Sequence, residues 1–173
     1  QKLLDNVCGE SIEKLVETLG MRIVMCPSNM KEEYGGAYPG GMVEHSLNVT
    51  MTMRKMSKAL EWNLDQVSII KVHDLGKVGD LTTSLYVEQD SDWHREKLGQ
   101  MYKFNEETPK MSVSHRTLYL LQSFGIELTH EEWLAIQLAS GSHFEENRFY
   151  VGSEPTLALL LQQAKSIVNH QSK

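Results

Sequence analysis

The run Gln66-Val67-Ser68-Ile69-Ile70-Lys71-Val72-His73-Asp74-Leu75-Gly76-Lys77-Val78-Gly79-Asp80 holds an adjacent imidazole and carboxylate bracketed by apolar residues and glycine. Val67, Ile70 and Val72, followed by Leu75, predict one buried stripe of a short helix, with the His73-Asp74 pair on its last turn and Gly76 closing it. A borderline nitrogen donor beside a hard oxygen donor suits Zn, Mn or Fe, and a helix stop at Gly76 would let Lys77 turn back toward whatever the metal holds. The same dipeptide is more often a hydrogen-bonded pair at a helix end, so both readings stand on these residues.

The chain has 173 residues, 40% of them hydrophobic, which is enough for one domain, residues 1–173, with a sizeable core. Lys and Arg number 17 against 23 Asp and Glu, a formal net charge of -6, so no broad basic surface is expected and no long nucleic acid is a natural partner. A small nucleotide held through a metal is compatible with that charge. The longest apolar run, Leu157 to Leu161, is far too short to span a membrane, and Gln1 to Asp5 lack the layout of a signal peptide. Cys8 and Cys26 show neither disulfide-framework density nor zinc-ligand spacing, which fits a soluble protein in a reducing cytoplasm.

Ser11 to Gly20 reads as a packing helix capped by Ser11 and ended by Gly20, and Met21 to Gly41 as a loop punctuated by Pro27, Gly35-Gly36 and Pro39-Gly40-Gly41. Met42 to Trp62 predicts a long helix with His45, Val49, Met53, Met56 and Leu60 on one face. His45 on that face is either a core histidine bonded to a backbone carbonyl or a ligand aimed at His73-Asp74.

Gly40-Gly41-Met42-Val43-Glu44-His45-Ser46-Leu47, followed 28 positions after His45 by His73-Asp74-Leu75-Gly76-Lys77, resembles the HD-domain superfamily of metal-dependent phosphohydrolases. Asp92 to Gly99 and Tyr102 to Asn105 are similar, more weakly, to short HD proteins of bacteria and their phages. The resemblance implies an all-α, HD-like helical bundle, with His45, His73 and Asp74 around a divalent metal ion (Mn, Fe, Zn or Mg). It also implies hydrolysis of a nucleotide or other small phosphate ester, with Asp74 and Lys77 in catalytic roles.

Beyond Asp80, Ser84 to Glu88 and Met101 to Phe104 alternate like two short strands, predicting a ribbon or flap within residues 81–110. Its Arg95, Lys97, Tyr102 and Lys103 are either phosphate contacts over the site, with Arg95 facing the same cavity as Lys77, or ordinary surface charge. Ser114 to Phe124 reads as a helix stopped by Gly125, and Thr129-His130-Glu131-Glu132 as a capping box opening another. Pro155 stands at a first helical position before the stripe Leu157, Leu160, Leu161, Ala164, Ile167 and Val168.

Members of the resembled family place a further metal-binding aspartate on the C-terminal helix. Here the matching run, Leu159 to Lys165, puts Lys165 at that position, and no aspartate follows Asp92. His115 and His143 fall near, but not on, the places of second-metal histidines, so a mononuclear centre is the expectation. Lys165, one position on from Ala164, sits at the edge of the apolar stripe, where its ammonium can reach Asp74, satisfy the carboxylate and oppose a divalent ion. Two functions follow: a mononuclear phosphohydrolase, or a catalytically impaired HD-derived module that binds a nucleotide or a protein partner.

Overall fold

The computed structural model describes residues 2–172, with side chains from Gly9 onward. Its elements in order are α1 (Lys2–Met25), α2 (Gly41–Ala59), α3 (Gln66–Lys71), β1 (Tyr86–Glu88), α4 (Asp92–Leu98), β2 (Tyr102–Phe104), α5 (Val113–Ser123), α6 (His130–Leu138), α7 (Glu145–Arg148) and α8 (Thr156–Gln171). Among the described residues the chain is therefore mostly helical, with one two-stranded sheet. Among the described residues no helix is long and apolar enough to cross a membrane. The side chains of Cys8 and of Gln1 to Asp5 lie outside the described residues, whereas Cys26 is a buried free thiol.

α1 does not start at Ser11 or end at Gly20. Ser11, Leu15 and Leu19 are buried at four-residue spacing on one face of a continuous helix, so Ser11 is an interior residue rather than a cap. Gly20 weakens the helix without stopping it, and Pro27 ends it by disfavouring helical geometry at Cys26. α2 carries Val49 and Met53 into the core, as its periodicity predicts. Leu60 is exposed, because the chain turns at Trp62, whose N–H donates to the Ser57 carbonyl (2.9 Å) while the Ser57 hydroxyl donates to the Trp62 carbonyl (2.6 Å).

The central segment is shorter and differently rotated than its pattern suggests. The Asp65 side chain caps α3 by accepting from the Ser68 N–H at 2.8 Å, and from that start Ile69 and Val72 face the core while Val67 and Ile70 are 55% and 57% exposed. α3 ends at Lys71, so His73 and Asp74 lie beyond it, leading into a 3₁₀ turn, Leu75–Val78. Gly76 is not a helix stop but a contact point. Its N–H donates to the Thr117 hydroxyl at 2.8 Å, and a Cβ there would lie 2.2 Å from the Val113 carbonyl oxygen, so only glycine lets the turn press on α5.

β1 and β2 pair antiparallel in the register Tyr86↔Phe104, Val87↔Lys103, Glu88↔Tyr102, confirming the ribbon. The unexpected element between them is α4, capped by the Ser91 hydroxyl, which accepts from the His94 N–H (3.4 Å), and closed by Gly99 at φ 57°. α5 is capped by Ser112, whose hydroxyl accepts from His115 N–H at 3.2 Å. The capping box of α6 forms as read, with Glu132 N–H to Thr129 at 3.2 Å and Thr129 N–H to Glu132 at 2.7 Å. α8 buries Leu157, Leu160, Leu161, Ala164 and Val168 against α2 and α6, leaving Ile167 at the rim.

Candidate functional site

A cavity of about 850 Å³ opens where α2, the 3₁₀ turn, the α6–α7 segment and α8 meet, with Ser28 and Asn29 on its edge. Asp74 lies at its floor, held by the turn it precedes: its carbonyl accepts from the Lys77 N–H at 3.0 Å. The Lys165 ammonium donates to both oxygens of this carboxylate, at 2.7 Å and 2.8 Å. The α8 stripe makes this possible, because burying Ala164 aims the next residue into the cavity. Lys77 reaches the same carboxylate at 3.7 Å and donates to the Ser28 carbonyl at 2.7 Å. All three charged side chains are largely withdrawn from water, Asp74 and Lys77 at 15% exposure and Lys165 at 18%.

Burial alone would push the Asp74 carboxyl up, yet the Lys165 and Lys77 ammonium groups overcome it and hold the group well below the usual carboxylate range. Lys77 is lowered, first by burial and then by Lys165, against the pull of Asp74. His45, on α2, lines the cavity, and its imidazole is pushed down to about 4 by burial and by Lys77 and Lys165. His73 is also lowered to about 4, chiefly by burial, and its Nε2 lies 2.7 Å from the Thr50 hydroxyl of α2. Both imidazoles are thus neutral at pH 7.

These two histidines set an acid limit. A side chain of ordinary pKa near 6.5 that folds to a state titrating near 4 binds more protons when unfolded, so stability is lost as the pH is lowered between those values. From pH 7 to pH 5 the expected loss is about 2 kcal/mol per histidine, read by urea unfolding at the two pH values. His73→Gln should remove roughly half of that pH dependence; an unchanged midpoint shift in the variant would refute the assignment.

The structure brings four of the sequence candidates, His45, Asp74, Lys77 and Lys165, to one cavity, with His73 held against α2 nearby. Arg95 is elsewhere, and with it the expected cation over the site. The Ser91 cap fixes α4 so that Arg95 pairs with Asp92 one turn back and donates to the Gln89 carbonyl at 2.6 Å. Tyr102 lines a second cavity of about 390 Å³, beside Cys26 and Tyr86, and no ribbon residue lines the first. Lys103 pairs with Asp90 at 2.8 Å, and Lys97 is exposed. His115 borders a small recess with Ser114 and Phe144, while His143 is an exposed loop residue 4.3 Å, ring to ring, from Phe144. Thr50, Ser28, Gln162 and Asn169 were not legible as site residues. Thr50 alone had a signal, lying on α2 near His45, whereas Ser28 reaches Lys77 only through the fold.

A metal ion does not fit this donor set. Among the described residues no group of three or more His, Cys, Asp or Glu side chains is arranged to hold one. Asp74 already gives both oxygens to an ammonium, and His73 is engaged by Thr50. A divalent ion at Asp74 would have to displace Lys165 while facing its positive charge at close range in a partly buried site. Compared with known proteins, the chain matches no family model, no curated protein and no solved structure.

Proposed function

We propose that this chain is an HD-derived protein that binds a nucleotide or another small phosphate ester in the cavity above Asp74 and does not hydrolyse it by a metal-assisted route. One observation carries the reading: the Lys165 ammonium holds both oxygens of the one carboxylate on which an HD-type metal would depend. The resemblance of Gly40 to Leu47 and His73 to Lys77 to the HD signature supports the ancestry. The cavity, within the size range of small-molecule sites, supports the ligand scale.

Metal-assisted hydrolysis of a phosphate ester needs an ion that lowers the pKa of its water and polarises the phosphoryl oxygen. Here Lys77 and Lys165 supply positive charge for the phosphate oxygens, and neutral His45 offers either a donor or an acceptor beside them. Such a set binds and orients an anion, but it gives no strongly activated nucleophile.

The test is elemental analysis of the purified protein together with thermal-shift binding and phosphate release on a nucleotide panel. The expected result is no stoichiometric metal, stabilisation by at least one phosphate ester in EDTA, and no release above background. Lys165→Asp should then raise Mn²⁺ affinity at least tenfold. Copurification of one equivalent of a divalent ion with steady turnover would restore the hydrolase reading instead.

A further inference from the structure

Resting on that reading, we infer that the cavity selects a monophosphate ester, a nucleoside 5′-monophosphate or its like, over the corresponding di- and triphosphates, and that Lys165 contacts the phosphate in the position a metal would otherwise hold.

The charges on the cavity wall are few and matched. Lys77 and Lys165 are its cations, and Asp74 and Glu154 its carboxylates. His45 adds no charge at neutral pH. Among the described residues the formal sum of the lining is zero, and the two ammonium groups are the cations it offers an arriving anion. One phosphoryl group can lie between Lys77 and Lys165 and use both as charge-assisted donors. Each further phosphate adds charge that must face Asp74 and Glu154 in a site of reduced dielectric, where like charges a few ångströms apart repel strongly. Polyphosphate sites ordinarily meet this cost with a divalent ion bridging the phosphates. The carboxylate that would anchor such an ion is closed by Lys165.

Size does not impose the selection, since about 850 Å³ leaves room for a longer chain of phosphates. The rest of the wall suits the uncharged part of a nucleotide. Asn169 presents an amide, and Asn29 and Gln162, whose amide nitrogens donate to backbone carbonyls, present their carbonyl oxygens to base or sugar edges, while Leu138, Ala139 and Val151 present apolar surface. The Lys77 side chain is held ready by the buried Ser28, whose carbonyl accepts a hydrogen bond from the ammonium at 2.7 Å.

The experiment is isothermal titration of the full chain with the four common nucleoside 5′-monophosphates and the matching triphosphates, each in EDTA and again with Mg²⁺. The expected result is that at least one monophosphate binds with the same affinity in both buffers, and at least tenfold more tightly than its triphosphate. Lys165→Gln should weaken that monophosphate at least tenfold, and circular dichroism of the variant confirms that the chain is still folded. Lys77→Gln, read in the same way, provides the second arm should Lys165→Gln fail to fold. Tighter triphosphate binding, or binding that requires Mg²⁺, overturns the inference while leaving a phosphate-ester site intact. Failure of every phosphate ester to bind overturns the proposed function itself.

Discussion

Gly76→Ala is expected to destabilise the chain by about 4 kcal/mol or more, a large fraction of the total stability of a domain this size, and in the limit to prevent folding. The added methyl would stand 2.2 Å from the Val113 carbonyl oxygen and 2.8 Å from the Thr117 nitrogen, and both are backbone atoms of a packed helix that cannot swing aside. Relief requires lifting the 3₁₀ turn off α5, which also breaks the Gly76 to Thr117 hydrogen bond and carries Asp74 and Lys77 away from Lys165. Gly9→Ala is the control, because nothing lies within 4 Å of a Cβ built there and alanine favours the helix. Urea unfolding of the two variants measures the contrast. A loss below about 1 kcal/mol for Gly76→Ala would mean that the turn does not press on α5 as described.

Lys165→Met should cost about 3 kcal/mol, the second largest effect, because it leaves the Asp74 carboxylate with only the more distant Lys77 for compensation. The double variant Asp74→Asn/Lys165→Met should recover much of that loss, giving a coupling energy on the order of 2 kcal/mol. The pH dependence has a defined sign. Asp74 titrates below its unfolded value, so its contribution is present above the ordinary carboxylate pKa and is lost as the pH falls through the folded one. The difference between wild type and Lys165→Met should therefore shrink below about pH 4. Equal midpoints at pH 7 would place the Lys165 ammonium in solvent.

Much of the architecture was legible because its signals are local. Thr129 and Glu132 make a capping box wherever the flanking chain permits a helix, and the Leu157 to Val168 stripe has one face to bury. The alternation at Tyr86 and Tyr102 found its partner strand across a short span. The failures are equally physical. Ser11 and Gly20 have the residue types of helix ends, but burial of Leu15 and Leu19 on one continuous face outweighs them. α4 was missed because Asp92-Trp93-His94-Arg95-Glu96-Lys97-Leu98 has no apolar period, although Ser91 and Gly99 mark its two ends. At the site, the contact of Lys165 with Asp74 followed from its place beside Ala164. Arg95 went astray because its fate depended on α4, and the roles of Ser28 and Thr50 depend on tertiary neighbours alone.

Lys165 lies 91 residues after Asp74, and α8 is also the cover for the apolar faces of α2 and α6. A ribosome that has translated only as far as residue 150 has made α1 to α7, yet that nascent chain lacks Lys165, leaving Asp74 only the more distant Lys77, and has an open seam where Leu157, Leu160 and Leu161 belong. Assembly of the site consequently waits for α8 and is set by long-range contacts rather than proceeding helix by helix. Until α8 arrives, the apolar faces of α2 and α6 that it covers stay open to solvent.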